Sequence, residues 1–313
     1  MTFPRMSDRI LSDAEIEHFI SRGFVRLSGC FSRELARDWT SRACERLYCS
    51  LDDPATWPAG RIRSPESQRV PFESIAPRAW QAACELVGGA ERALSCTWGD
   101  GFIINFGRED FAWQPPSPTI YPDWQIWHKD GDFFRHFLDS PEQGLLSLVL
   151  WSDVRHQGGA TLVAADSVDP IARFLAAHPE GAYPFPQPSG VDDAPVFDFA
   201  DLVAPCREFV EATGEAGDVY LLHPYILHAK SQNVLRLPRV ITNPPLTLAE
   251  PMRFDRTDPS EFSLVERAVL HALDVPRLEF TPAAARQQLV PPRIAMQRER
   301  LADEERRLAG KTP

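Results

Sequence analysis

The first hundred residues carry apolar side chains at helical spacing. A capping box from Ser12 to Glu15 precedes an apolar stripe and predicts a helix that ends at Gly23. Similar stripes predict one helix that starts at Ser32 and another that ends at Gly88. The segments between them are predicted as a strand at 24–27 and a loop at 52–72.

From about residue 99 the pattern changes to short apolar runs separated by glycine and proline turns. Many short strands with such turns predict a sandwich or jelly roll. One helix, at 168–177, interrupts the strands, and the chain is predicted to turn helical again after about 256. The predicted strands are 102–106, 125–130, 145–153, 160–164, 207–210, 219–222, 226–230 and 240–246.

These patterns predict one mainly β domain over 1–313. It comprises a helical N-terminal part at 1–98, a jelly-roll core at 99–246 and a helical C-terminal extension at 247–313. The content of 43% hydrophobic and 25% charged residues is that of an ordinary globular protein. The loop at 108–124 is rich in proline and aromatic residues, as is the loop at 181–198, and loops of this length are usually functional or disordered.

Charge and hydropathy narrow the range of partners. The net charge of -11 disfavours a broad nucleic-acid surface, which needs basic residues. No apolar run approaches the roughly 18 residues of a membrane span, and the N-terminus lacks the apolar core of a signal peptide. We therefore expect a cytoplasmic protein that acts on a small molecule, with neither a nucleic-acid nor a membrane partner.

A candidate metal pair lies in the predicted strand 125–130. His128 and Asp130 are two positions apart, so their side chains share one face of a strand. Two imidazoles and one carboxylate on one face are the ligand set of non-haem Fe(II) oxygenases. The third ligand must come from elsewhere in the chain, where His223 and His228 are the candidates, and Asp132 is the alternative carboxylate.

Several stretches resemble the phytanoyl-CoA dioxygenase family of Fe(II)/2-oxoglutarate-dependent oxygenases. The resemblance covers roughly residues 11–246. One departure is Ala229-Lys230 after the distal histidine, where that family often has Gly-Ser. The matching stretches are the opening helix and strand at 11–27, His128-Lys129-Asp130, Trp151 to Val154 with Gly158 to Val163, and Gly217 to His228 with Asn233 and Arg239.

The resemblance implies a double-stranded β-helix with Fe(II), 2-oxoglutarate and O2 bound inside the barrel. The implied iron ligands are His128, Asp130 and His228. Arg239 would bind the distal carboxylate of 2-oxoglutarate through a two-pronged hydrogen bond, with Arg236 as the alternative. Asn105 resembles a family position near the iron-bound end of 2-oxoglutarate.

Two further residues are expected at the co-substrate pocket on strand geometry. Ser147 and Trp151 share one face of the predicted strand 145–153 by the period of two, and packing in the barrel core is the alternative role for both.

The expected function is hydroxylation, or a related oxidation, of an unactivated C–H bond in a hydrophobic small molecule such as a secondary-metabolite intermediate. Members of the wider class that halogenate lack the carboxylate ligand, so Asp130 favours hydroxylation. Two rival hypotheses are a cupin-type metalloenzyme that does not use 2-oxoglutarate and a non-catalytic barrel that binds a ligand. The aromatic residues expected to wall the substrate site are Phe111, Trp113, Tyr121, Trp124, Phe133 and Phe134.

Overall fold

The structure is a computed structural model of the 313-residue chain. It describes residues 9–58, 60–94, 96–108, 112–119, 126–187 and 192–291, and the single positions 294, 299, 302, 303 and 306.

The described residues form helices and strands in the following order. The helices are α1 (Asp13–Arg22), α2 (Arg33–Arg46), α3 (Phe72–Ile75), α4 (Pro77–Val87), α5 (Val168–Ala177), α6 (Phe199–Val203) and α7 (Leu264–Leu273). The strands are β1 (Phe24–Leu27), β2 (Arg61–Arg63), β3 (Arg69–Pro71), β4 (Thr97–Gly99), β5 (Ile103–Asn105), β6 (Leu145–Leu150), β7 (Thr161–Ala164), β8 (Phe209–Ala212), β9 (Val219–Leu222), β10 (Leu227–Lys230), β11 (Arg239–Thr242) and β12 (Pro245–Leu246).

The predicted start and end of the first helix are confirmed. The Glu15 amide donates to Ser12 Oγ at 3.3 Å, and the Ser12 amide donates to the Glu15 carboxylate at 2.8 Å. These two bonds satisfy amides that lack a partner inside the helix. Gly23 ends α1 with a φ of 71°, and the side chain of Ile226 lies 2.6 Å from where a Cβ would project. Glycine fits this turn both because of its backbone angle and because of that contact.

The strands form two main antiparallel sheets. The larger has the order β1-β9-β6-β11-β5-β2, with β12 also paired to β6. The smaller has the order β10-β7-β8, and a bridge between His128 and His228 adds the segment around His128 to its β10 edge. A separate pair, β3 with β4, lies outside these sheets.

The path of the chain between the two sheets is that of a jelly roll. It runs from β5 in the larger sheet to the His128 segment in the smaller one, then to β6 in the larger and to β7 and β8 in the smaller. It continues through β9 in the larger sheet, β10 in the smaller and β11 in the larger. This winding confirms the predicted double-stranded β-helix, which encloses a space between its sheets.

Helices cover the larger sheet and complete the core. All six residues of β6 are buried because both faces of this strand are covered. Trp39 of α2 stacks on Trp151, just beyond β6, with ring centroids 5.0 Å apart. Helix α7 packs against α1, α4 and α5.

One prediction about the segments beside the core is wrong. The predicted loop at 52–72 contains β2 and β3, which are too short to show a clear alternation. In the predicted helical extension, α7 is helical, residues 274–291 contain no α-helix, and the described positions 294, 299, 302, 303 and 306 are helical. Pro276 and Pro282 account for the absence of a helix at 274–291, because proline removes a backbone donor and disrupts a helix interior. Most of the tail from 292 lies outside the described residues.

In the described part of the chain, no helix has the length and apolar character needed to cross a membrane.

Candidate metal centre

The backbone around His128 places two imidazoles side by side. The His128 amide donates to the His228 carbonyl at 3.0 Å, and the His228 amide donates to the His128 carbonyl at 2.9 Å. Residues that exchange both bonds lie directly opposite each other, with their side chains on one face of the sheet. The two rings accordingly have centroids 4.4 Å apart.

Asp130 completes a cluster with these two rings. Its Oδ1 lies 3.7 Å from Nε2 of His128 and 3.6 Å from Nε2 of His228. The three potential ligand atoms all lie within 4.8 Å of one another. The structure therefore brings together the three residues expected to bind a metal, in a spacing that one ion can bridge.

Both imidazoles present the same nitrogen to this cluster. Nδ1 of His128 lies 3.0 Å from the Ile126 carbonyl, and Nδ1 of His228 lies 3.3 Å from the Ile226 carbonyl. A carbonyl can only accept, so each Nδ1 carries the proton and each Nε2 keeps its lone pair. This is the tautomer that a metal ligand needs, with the ring held by its other nitrogen.

Local electrostatics favour the protonation states of metal ligands. The His128 side chain is 43% exposed and lines a cavity. Desolvation together with the nearby His228 lowers the pKa of His128 to about 4. Burial opposes ionisation of Asp130, but His228, His128 and Asn243 outweigh it and lower the pKa of that carboxyl. At neutral pH the cluster thus contains a neutral His128 and an ionised Asp130.

The alternative ligands lie outside the cluster. His223 is 1% exposed, its Nδ1 accepts from the Tyr225 amide at 3.1 Å, and its Nε2 lies 3.3 Å from the Val265 carbonyl. Both nitrogens are therefore already bonded, Nδ1 within the turn after β9 and Nε2 to α7. Asp132 lines the same cavity as His128 but is not among the three clustered residues.

Arg239 is a buried cation inside the barrel. It is 2% exposed, its Nε donates to the Gly159 carbonyl at 2.8 Å, and one terminal nitrogen donates to the Ile103 carbonyl at 3.4 Å. No carboxylate of the described residues pairs with it. Burial and the nearby Arg61 lower the pKa of Arg239 to about 9. Arg236, the alternative, is exposed at a turn with a φ of 50°.

Asn105 lies directly opposite Arg239 in the pairing of β5 with β11. The two side chains therefore share a face of the sheet. Asn105 is 8% exposed, and its Oδ1 accepts from the Gly107 amide at 3.0 Å.

Ser147 and Trp151 are not brought to the metal cluster. Trp151 packs among Trp39, Phe31 and Phe102, and its Nε1 donates to Thr242 Oγ1 at 2.9 Å. Ser147 shares that helix-facing side by strand alternation, and neither residue lines the cavity. This placement matches the alternative role of core packing and gives no support to their expected contact with the co-substrate.

A cavity of about 830 Å³ adjoins His128 and Asp130. Its described wall is mostly polar or charged, and its large apolar side chains are Phe133, Leu146 and Ile294. This differs from the expected aromatic wall.

The other aromatic residues expected in that wall lie elsewhere or are not described. Trp113 donates from Nε1 to Glu211 Oε1 at 3.2 Å and contacts His156, so it packs along β8. Phe134 is 1% exposed and packs against Phe133 and His136. Phe111, Tyr121 and Trp124 lie outside the described residues.

No protein-family model and no curated protein sequence match this chain. Among solved structures, it is similar to the non-heme alpha-ketoglutarate-dependent carbocyclase SnoK from nogalamycin biosynthesis, with a TM-score of 0.45 and 14% identity over 90% of this chain and 97% of that chain. It is similar to EctD from S. alaskensis, solved with 2-oxoglutarate and 5-hydroxyectoine, with a TM-score of 0.43 and 18% identity over 78% of each chain. It is also similar to HygX from Streptomyces hygroscopicus, solved with nickel and 2-oxoglutarate, with a TM-score of 0.42 and 15% identity over 76% of this chain and 88% of that chain.

Proposed function

We propose that the chain is an Fe(II)/2-oxoglutarate-dependent dioxygenase that oxidises an unactivated C–H bond of a small molecule. The observation that carries the proposal is the combination of the His128, Asp130 and His228 cluster with the buried Arg239 in one barrel. A metal site alone would fit many cupin-type proteins. The guanidinium of Arg239 is buried and has no carboxylate partner in the described residues. A protein of this kind therefore needs an anionic ligand in addition to a metal.

The donor set fits iron. Two neutral imidazoles and one carboxylate are the facial set of non-haem Fe(II) oxygenases, and they leave coordination positions free. When bound, iron together with 2-oxoglutarate and O2 supplies the oxidising power for an unactivated C–H bond. The part of the protein is to bind, orient and exclude water around that chemistry.

Arg239 fits the distal carboxylate of 2-oxoglutarate. A buried charge is stable only when it is paired and hydrogen-bonded, and a carboxylate can accept two parallel bonds from a guanidinium. Two of the donors of Arg239 are already directed to the Gly159 and Ile103 carbonyls, which fixes the orientation of the group. Asn105, opposite Arg239, is proposed to contact the same co-substrate.

The test is an anaerobic titration of the metal-free protein with Fe(II) and then with 2-oxoglutarate. The proposal requires the visible charge-transfer band of the iron chelate. We expect the band in the wild type and in Arg236→Ala, the exposed neighbour that serves as the matched control. We expect Arg239→Ala to need a much higher 2-oxoglutarate concentration, and His228→Ala to show no band.

The other outcomes separate the rival functions. Iron binding without a band would contradict the use of 2-oxoglutarate and would favour another cupin-type metalloenzyme. Absence of iron binding by the folded wild type would contradict an iron enzyme and would favour a barrel that only binds a ligand.

A further inference from the structure

The wall of the cavity beside the metal cluster carries charges of both signs. Arg63 and Arg69 face it from β2 and β3, and Glu66 and Asp132 add carboxylates. Small-molecule pockets in general are lined predominantly by hydrophobic and aromatic side chains, with few polar groups. The described wall therefore suits a polar molecule better than the hydrophobic one expected from the sequence.

One residue of this wall has unused hydrogen-bonding groups. Gln143 is 2% exposed, and neither its Oε1 nor its Nε2 has a hydrogen-bond partner. Its Oε1 lies 3.0 Å from where a Cβ on Gly131 would project, so the amide lies beside the residue that follows Asp130. Buried amides are nearly always paired, because leaving them unpaired costs stability.

Other polar groups around this cavity already have hydrogen-bond partners. Lys129 Nζ donates to His136 Nδ1 at 2.8 Å and to the Asp130 carbonyl at 3.1 Å. His136 Nε2 is bonded to the Gly131 carbonyl at 2.7 Å, and Thr247 Oγ1 donates to the Glu142 carbonyl at 3.1 Å. Gln143 itself lines the cavity, so a ligand in the cavity is the candidate partner for its amide.

We propose that the substrate is a polar small molecule bearing hydroxyl or amide groups, and that Gln143 binds one of them beside the metal cluster. A carboxamide can accept from and donate to the same such group, which would set its distance from the metal ligands. This proposal rests on the proposed oxygenase function. It names the substrate class that this function leaves open.

The first test compares the thermal unfolding of two glutamine variants. Gln143→Leu removes an amide without partners, whereas Gln232→Leu removes a 5% exposed amide whose Oε1 accepts from the Gln114 backbone at 3.1 Å. We expect Gln143→Leu to raise Tm by about 2 °C, since an unsatisfied buried group is replaced by an apolar one of similar size. We expect Gln232→Leu to lower Tm. Equal losses of Tm in both variants would show that Gln143 is a structural residue and would overturn its proposed role.

The second test measures succinate release in the presence of Fe(II), 2-oxoglutarate and O2. One set of compounds contains polyols, sugars and amino-acid amides, and the other contains fatty acids and polycyclic aromatics. We expect members of the polar set to raise the rate above the compound-free rate, and Gln143→Leu to lower the resulting kcat/KM at least tenfold. Its anaerobic charge-transfer band should match the wild-type band, because Gln143 is not a proposed ligand of the metal or of 2-oxoglutarate.

The band separates the two proposals. Loss of the band in the wild type would contradict the oxygenase function itself. A normal band with stimulation only by the apolar set would overturn the polar substrate class and leave the oxygenase function standing. A normal band with no stimulation by any member of the polar set would also overturn the polar substrate class, and the unfolding comparison tests separately whether the Gln143 amide lacks a partner within the protein.

Discussion

The two oxygens of Asp130 have different partners. Oδ1 faces Nε2 of both His128 and His228, whereas Oδ2 accepts a hydrogen bond from Asn243 Nδ2 at 2.5 Å. Because Asn243 holds one oxygen, it fixes the rotation of the carboxylate and directs the other oxygen toward the histidines. Asn243 is therefore a positioning residue for the proposed metal ligand Asp130.

Substitution of Asn243 should weaken metal binding. We expect Asn243→Ala to raise the Kd for Fe(II), or for Co(II) as a substitute, by about 10- to 100-fold, as is usual when a hydrogen-bond partner of a metal ligand is lost. Anaerobic calorimetric titration measures this directly. Thr247→Ala is the control, since Thr247 lines the same cavity but bonds to the Glu142 carbonyl. An unchanged Kd in Asn243→Ala would show that Asp130 needs no such support.

His223 should make stability depend on pH. Burial lowers the pKa of His223 to about 3 from 6.5, with its bond to the Val265 carbonyl opposing the change. The unfolded chain therefore binds the proton more readily, and stability is lost as pH falls from about 6.5 toward 3, by up to about 1.4 kcal/mol per pH unit. We expect His223→Gln to have a lower free energy of unfolding than the wild type at pH 7. Measured by urea unfolding, this free energy should fall less steeply with decreasing pH than that of the wild type.

The exposed His271 provides the control for this prediction. His271→Gln should keep the wild-type slope. A wild-type slope in His223→Gln as well would mean that other groups produce the acid sensitivity.

Local spacing in the sequence predicts which side chains share a face of a strand. His128 and Asp130 follow from the period of two, and the structure brings them together with His228. The same alternation places Ser147 and Trp151 on one face of their strand, but it does not show which face points into the barrel. Their face packs against the helix α2. Asn243 and Gln143 gave no local signal, because the contact of Asn243 with Asp130 spans 113 positions and depends on the closed barrel.

At the scale of elements, β11 links the two halves of the site. Arg239 begins this strand and Asn243 follows its end, four positions later, so alternation places both on one face. One strand thus positions the proposed co-substrate anchor and the residue that orients Asp130. The prediction of a strand at 240–246 was close, with a break at Asn243-Pro244 between β11 and β12.

Helix α7 depends on a buried carboxylate at its first turn. Glu266 is 0% exposed and accepts from the Ser263 amide at 2.8 Å, the Arg253 amide at 2.8 Å and Arg92 Nη2 at 2.6 Å. It thereby caps α7 and ties it to the segment after α4. Burial opposes its ionisation, but Arg92 outweighs this and the pKa of Glu266 is lowered.

Neutralising Glu266 should destabilise the fold and spare the site. We expect Glu266→Gln to lower the free energy of unfolding by about 3 kcal/mol, because Arg92 keeps its charge in a half-buried place without a partner. Urea unfolding measures the loss. Glu261→Gln, at an exposed position before α7, should change it by less than about 0.5 kcal/mol. A similarly small change in Glu266→Gln would mean that the ion pair with Arg92 makes no net contribution to stability. The Kd for Fe(II) should be the same as in the wild type for both variants.

At the scale of the whole molecule, the net charge of the chain differs in sign from the local charge around Arg239. The net charge is -11, yet Arg239 is held in the barrel beside Arg61, and no carboxylate of the described residues pairs with either. The net charge of a chain follows from its composition, whereas the position of each charged side chain follows from the fold. The sequence predicted Arg239 through a family resemblance, whereas the proximity of Arg61 required the pairing of β2 and β11 on either side of β5.

The proposed sites for Fe(II) and 2-oxoglutarate predict how these two ligands should stabilise the protein. A ligand that binds only the folded state adds about 2.7 kcal/mol at 100 times its Kd, so Fe(II) and then 2-oxoglutarate should each raise Tm by several degrees under anaerobic conditions. The step produced by 2-oxoglutarate should require Fe(II) and should be lost in Arg239→Ala, whereas the step produced by Fe(II) should remain. Since removing Arg239 leaves the three proposed metal ligands in place, retention of the 2-oxoglutarate step in that variant would place the co-substrate elsewhere in the barrel. Loss of both steps would instead show that Arg239 supports the metal cluster through the fold and not through the co-substrate.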